Sequence, residues 1–251
     1  MKTMLALACC ATLVAATPAL AQQVDTPVAF TTMVKVAVDD AGRPAVVEAV
    51  SALPEAVRDF VEARTRELEF QPAMIDGRAH GGVTYVVMGV CAVPDGDAMV
   101  MAAEYRANGP GQTDGTPYPA PPRYPIEAAR RDLGAEMTIH YTARPDGSAA
   151  LDRVEFNDKA QRGKGMFERM ARDWVRDMRL LPEQVDGRPI STPVSTPVEL
   201  VVARAGTPRA REMLEAARRS WVDRPECLAA ERPSGQAVAA QSPFVVREDA
   251  G

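Results

Sequence analysis

His80 and His140 are the only histidines in the chain. With Cys91 and Cys227 they are the side chains best suited to hold a metal or activate a nucleophile near neutral pH. His80 lies in a Gly-rich loop and His140 in a predicted strand, and neither has a cysteine or carboxylate at ligand spacing. The sequence contains no G-x-S-x-G elbow, no H-E-x-x-H pair and no phosphate-cradling glycine loop. Gly163-Lys164-Gly165 is too short for a nucleotide loop and suits the start of a helix. Asp39, Asp40 and Asp146 stand where turns are expected, and there a carboxylate bonds its own backbone. Met166, Phe167, Met170, Ala171, Trp174, Val175 and Met178 recur at the spacing of one helical face, which is the spacing of core. No catalytic residue, metal ligand or cofactor is assigned, and the expectation is a binding protein and not an enzyme.

The first residues belong to export and not to the fold. Lys2 supplies a positive start, positions 4–16 an apolar run, and Ala19-Leu20-Ala21 a small-x-small cleavage pattern, so residues 1–21 are expected to be a cleaved signal peptide. The run is too short to remain as a spanning helix. A lipoprotein reading at Cys9 or Cys10 would leave an unusually short apolar region. The formal charge of −5 becomes one unit more negative without Lys2. It comes with scattered arginines and lacks the concentrated basic face that a nucleic-acid partner requires. In an oxidising compartment Cys91 and Cys227 are expected to form a disulfide, worth at most about 4–5 kcal/mol. The alternative is two separate thiols.

The elements that would position any site come in duplicate. Phe70-Gln71-Pro72-Ala73 leads to Asp76-Gly77-Arg78, and Leu180-Leu181-Pro182 leads to Asp186-Gly187-Arg188. Upstream of each stands an alternating apolar segment, a Gly turn, a second apolar segment and a helical stripe. In the first copy, 33–38 and 45–50 read as a hairpin around Asp39-Asp40-Ala41-Gly42. A helix starting at Pro54 follows, with Val57, Phe60, Val61 and Leu68 on one face, and then a closing strand at 83–90. In the second copy, 136–142 and 151–156 flank Pro145-Asp146-Gly147, the Met166 stripe gives the helix, and 194–203 the last strand. Gly42 and Gly77 stand closer together than Gly147 and Gly187. The extra residues fall in the polar stretch 157–165, where an insertion costs little. Each copy therefore reads β-β-α-β. The expected class is α+β: two small units, each a three-stranded antiparallel sheet with one helix packed on it, plus a C-terminal helix. Units this small lack room for a deep cleft of converging acids and bases.

The expected organisation is a first, degenerate module at 22–106, a Pro/Gly-rich linker at 107–121, a second module at 122–204, a helix at 205–231 and a tail at 232–251. The linker composition outweighs a polyproline-ligand reading. The C-terminal helix would carry Ala210, Met213, Leu214, Ala217 and Trp221 on one face. The tail reads as disordered apart from Phe244-Val245-Val246.

In the second copy, Arg123-Tyr124-Pro125 with Ala128, Pro145-Asp146-Gly147, Phe167, Trp174, Leu181-Pro182, Asp186-Gly187-Arg188-Pro189 and Thr196-Pro197-Val198 resemble the TonB C-terminal domain family in their order. The resemblance covers about residues 122–203, and no single motif in it is specific. The first copy looks like a degenerate relative, keeping Phe70, Pro72-Ala73 and Asp76-Gly77 without the Tyr-Pro start. The resemblance implies a periplasmic module that grips an extended segment of an outer-membrane receptor or other envelope protein by adding it as a strand. By carry-over, Arg123, Tyr124 and Pro125 would lie near that contact, and Val198, Glu199, Leu200, Val201 and Val202 would form the edge. Pro193 and Pro197 each remove a donor, which limits full pairing to the later part of the strand and equally suits an edge blunted against aggregation.

An energy transducer resembling this family keeps an uncleaved membrane helix followed by a long Pro-rich spacer. Here the cleavage pattern is good and no such spacer follows, so the expectation is a soluble periplasmic binding module related to TonB-dependent transport. The expected partner is an envelope protein segment, with no nucleic acid and no small-molecule substrate. Alternatives are a self-associating envelope scaffold, or a membrane-retained transducer if residues 1–21 stay attached. In a narrower idea, residues 242–247 fold back and plug the chain's own edge.

Overall fold

The computed structural model describes residues 28–95, 98–157, 162–201 and 239–247, with Pro208 and Glu212 as isolated positions. The signal segment, most of the expected C-terminal helix, Val202 and Cys227 lie outside the described residues.

The duplication is built into the backbone. Strands β1 (Val28–Val38) and β2 (Pro44–Ala49) form the first hairpin. At its turn Gly42 has φ +82°, and a Cβ there would stand 1.9 Å from Phe70 O, so only glycine fits. Asp39 Oδ1 accepts from the N–H of Ala41 at 3.0 Å and of Arg43 at 2.8 Å. These bonds, and the Arg43 side chain, hold the Asp39 carboxyl below the usual carboxylate range. Helix α1 (Glu55–Arg66) follows, and then Phe70 N–H donates to Gly42 O at 2.8 Å in the short strand β3 (Phe70–Gln71). The second copy repeats each step. Strands β9 (Ala135–Ala143) and β10 (Ala149–Phe156) flank Gly147 at φ +81°, helix α3 is Lys164–Asp177, and Leu180 N–H donates to Gly147 O at 2.8 Å. The two Asp-Gly turns match in the same way. Asp76 and Asp186 both have φ 50°, with Gly77 at 74° and Gly187 at 71°. Positive φ at both central residues is the geometry that matches strand twist in a two-residue hairpin.

The expected α+β class of two small, separate β-β-α-β units is overturned. Strand predominates, and the three helices among the described residues, α1, α2 (Ile126–Arg130) and α3, have 12, 5 and 14 residues. Among the described residues the sheets have six, four and, three times over, two strands. Two causes are visible. Strand β6 (Gly82–Asp95) runs on past the expected end at 90 and turns back as β7 (Ala98–Gly109), which pairs it from Tyr85 to Asp95. In addition, β12 (Gln184–Val185), from the second copy, pairs Val83 and Gly82 of β6 and carries β13 (Arg188–Pro189) with it. The six-stranded sheet therefore contains strands of both copies. The expected linker starts within β7, and β8 (Gly111–Gln112) pairs β11 (Leu180–Leu181), while Ala120 O accepts from Trp174 Nε1 at 2.7 Å.

Two cores result. The first gathers Val34, Val36, Val38, Val61, Phe70, Val86, Met88 and Val90 under α1, together with Val185 and Phe244 from farther along the chain. The second gathers Met137, Ile139, Tyr141, Phe167, Met170, Ala171, Val175, Val194 and Val198 under α3. Tyr124 meets Phe167 edge-on at 6.4 Å, and Tyr141 meets Trp174 at 6.2 Å. Cys91 is disulfide-bonded; its expected partner Cys227 lies outside the described residues. No described helix is long and apolar enough to cross a membrane.

Candidate functional site

Strand β14 (Thr192–Leu200) forms one continuous, unbulged ladder with β9, from Thr192↔Ala143 to Leu200↔Ala135. On its other edge it meets β15 (Ala239–Ala240) only at Val194 and Ser195, with Gln241 N–H donating to Pro193 O at 2.9 Å. That bond fixes the alternation: odd-numbered β14 residues direct their backbone groups outward, and even-numbered ones towards β9. Pro193 and Pro197 are both odd, so each missing N–H falls on the outer edge and the β9 ladder stays whole. Beyond Ser195, the outward groups are the carbonyls of Pro197 and Glu199 and the N–H of Glu199. Among the described residues nothing pairs with that edge from Thr196 to Leu200.

Three other edge strands, β2, β10 and β7, carry features that discourage an added strand. On β2, the outward N–H of Ala49 is bonded to Glu62 Oε1 at 3.1 Å. Strand β10 carries exposed Asp152, Arg153 and Glu155 and a bulge between Leu151 and Arg153. The β6–β7 ladder is bulged between Val87 and Met88, and Arg106 and Glu104 pair along β7 at 3.3 Å.

The residues assigned by carry-over fall in two places. Val198, Glu199 and Leu200 lie on β14, with Val198 buried and Glu199 exposed; Val201 follows the strand, and Val202 lies outside the described residues. Tyr124 is tied into its own unit, its hydroxyl donating to Leu133 O. Arg123 and Pro125 instead line a groove of about 830 Å³ along α3, with Met166, Met170, Trp174 and Arg179.

Spacing along the chain hid what the sheet brings together. Both histidines meet carboxylates of another element: His80, at the end of β5 (Arg78–His80), has Nδ1 2.7 Å from Oδ2 of Asp186 in the second Asp-Gly turn, and His140 Nε2 is 3.2 Å from Glu155 Oε2 on β10. Ser195 Oγ is 2.8 Å from His140 Nδ1, giving a Ser–His–Glu row over three adjacent strands. The row lies flat on the polar sheet face. The His140–Glu155 contact is misaligned for a hydrogen bond, leaving buried Nε2 without one, and the Ser195 amide belongs to the ladder with Ala239. Arg153, and after it His140, hold the Glu155 carboxyl below its ordinary range. The row links β14, β9 and β10 through side-chain contacts across the sheet. Among the described residues no cluster of three or more potential ligands could hold a metal.

The least expected group is Glu183, fully buried where both copies and the tail meet. Thr84 and Ser242 hydroxyls donate to its Oε1 at 2.6 Å each, and the Thr192 hydroxyl to its Oε2 at 2.7 Å. Burial pushes its pKa up, against the lowering effect of the three hydroxyls. Beside it the Asn108 amide nitrogen reaches Ser242 Oγ at 2.9 Å, Phe244 O at 2.7 Å and Thr84 Oγ1 at 3.2 Å. The Tyr105 hydroxyl fixes that amide through Asn108 Oδ1 at 2.6 Å. Past this cluster Phe244 is fully buried in the first core, and β16 (Val245–Val246) pairs β3. Burying that ring stabilises the tail's position by about 2–3 kcal/mol. No family model, curated protein or solved structure matches this chain.

Proposed function

We propose that this chain is an exported binding module whose second copy accepts an extended segment of an envelope protein along the outer edge of β14. The observation that carries the reading is that the chain already adds a strand there. β15 pairs Val194 and Ser195, and the edge continues unpaired among the described residues from Thr196 to Leu200. An unpaired ladder edge offers main-chain donors and acceptors to any extended peptide. In β6, the matching strand of the first copy, β1 takes one edge while β7 and β12 take the other. The first copy therefore serves as a platform and the second as the acceptor. The resemblance to TonB C-terminal domains supports the choice of an outer-membrane receptor segment as the partner. In this reading residues 1–21 are removed, the module works in the periplasm, and no cofactor takes part.

A photo-cross-linking side chain placed at Glu199 in the full-length protein tests the reading, with Glu104 on β7 as the control position. Peptides from outer-membrane receptors are expected on the Glu199 adduct and absent from the Glu104 one. Equal labelling at both positions would set the reading aside.

A second reading, a self-associating scaffold, has one observation in its favour. Met74 and Ile75, on β4 (Ala73–Ile75), are 64% and 46% exposed, whereas Val185, the counterpart of Ile75, is 7% exposed against β6. It predicts concentration-dependent assembly abolished by Met74→Glu. Sedimentation as a monomer at every concentration removes it.

A further inference from the structure

Two glycines, Gly82 on β6 and Gly109 on β7, line the seat of the C-terminal segment. A Cβ on Gly82 would stand 2.6 Å from Phe244 Cζ and 1.9 Å from Gln184 O. A Cβ on Gly109 would stand 2.5 Å from Ala240 Cβ. Glycine at these two places opens the backbone so that the tail can lie against it. The tail uses the opening with period two: Ala240 at Gly109, Ser242 at Glu183 and Asn108, Phe244 in the first core. Val245 and Val246 then pair Gln71 and Phe70, and Arg247 N–H donates to Glu69 O at 2.9 Å. One end of this segment lies on the same β14 edge that is proposed to accept a partner.

We propose that residues 239–247 are a displaceable internal ligand that competes for the β14 edge, and that the competent partner is an extended peptide repeating its pattern. That pattern is a small residue, a hydroxyl two residues later, an aromatic two after that, and then β-branched residues. The proposal rests on the strand-addition reading and adds its regulation and the chemistry of its ligand. Continuing the antiparallel register past Ala239 sets the preceding partner residues against Thr196 to Leu200. A partner of this kind therefore pairs the whole edge and fills the Phe244 seat as well, which gives it more contacts than the edge alone offers. The resident segment competes at the effective concentration of a tethered ligand, on the order of millimolar. A partner with the edge contacts alone does not displace it.

The test uses a fluorescent peptide with the sequence of residues 239–247, titrated into the full-length protein, its Ser242→Ala variant and its Phe244→Ala variant. Anisotropy is expected to show weak binding to the parent and at least tenfold tighter binding to both variants. The same peptide with its Phe replaced by Ala is expected to bind none of the three. Ser242→Ala keeps the core ring, so it decides the question if Phe244→Ala fails to fold. Binding to natively folded Ser242→Ala no tighter than to the parent overturns the proposal. If receptor peptides still cross-link at Glu199 in that case, strand addition stands and only the competing tail is lost. If cross-linking at Glu199 is also absent, both fall.

Discussion

Asp186, at the tip of the second copy's Asp-Gly turn, stands 2.7 Å from His80 of the first copy, and its N–H donates to Gly81 O at 3.0 Å. The contact shows how the copies are joined: a turn required by one unit becomes a cross-link to the other. Asp186 is also held at positive φ, where Asn is tolerated and Ala is not. Asp186→Asn is expected to cost no more than about 1 kcal/mol, because the carboxylate is half exposed and its pair with His80 is screened. Asp186→Ala is expected to cost about 1–2 kcal/mol more for the left-handed backbone. Urea unfolding of both variants measures the difference, and equal losses would show that the backbone is not constrained there.

Glu183 makes stability depend on pH. Its folded pKa is raised, so the folded protein binds its proton more tightly than the unfolded chain does. Stability from this group is complete below the unfolded glutamate value of about 4.5 and is lost as pH rises through the folded pKa, at most about 1.4 kcal/mol per pH unit. The titratable groups facing it, Tyr85 and Tyr105, stay neutral over that range, since burial raises both and carries Tyr105 to about 12. Glu183→Gln is expected to flatten this part of the pH profile, whereas Glu183→Ala, which takes the acceptor from the buried Thr84 and Thr192 hydroxyls and the partly buried Ser242 hydroxyl, costs about 2–4 kcal/mol. A Gln variant with the parent's pH slope would contradict the assignment.

Glycine substitutions separate close approach from open space. Gly82→Ala drives a methyl into Gln184 O and the Phe244 ring, and is expected to cost more than about 2 kcal/mol while freeing both β12 and the tail. Gly165, in the first turn of α3, has nothing within 4 Å of its absent Cβ. Gly165→Ala is expected to stabilise by a few tenths to about 1 kcal/mol. Thermal unfolding of the two variants should move in opposite directions.

The disulfide at Cys91 is expected to close on Cys227. Thiol titration of the unreduced, denatured protein should then find no free thiol in the mature chain, and reduction should cost about 2–4 kcal/mol. Two free thiols per mature chain would refute the pairing.

What the sequence made legible follows from the kind of signal each part carries. The duplicated turns were readable because Asp-Gly with positive φ at both positions leaves few residue choices. Helix α3 was readable because Phe167, Met170, Ala171 and Val175 keep one face. Strand β7 was not readable, since its Ala-rich run has weak strand preference and leads straight into Gly109-Pro110. The strand pairing that joins the copies uses only Gln184 and Val185 of the second copy, too short for any periodicity. Glu183 is one of 34 acids, and only the three-dimensional meeting of Thr84, Thr192 and Ser242 distinguishes it. On the edge itself, Pro193 and Pro197 were visible as missing donors. That both missing donors face outward needed the bond from Gln241.

Glu199→Pro tests the β14 edge most directly. The substitution removes the outward N–H of Glu199 and places a ring on the edge, while the even-numbered groups that hold β9 are untouched. In the full-length protein it is expected to weaken binding of a receptor-derived extended peptide at least tenfold, with only a small change in melting temperature. Peptide affinity equal to the parent's, in a variant that melts as the parent does, would contradict strand addition at this edge.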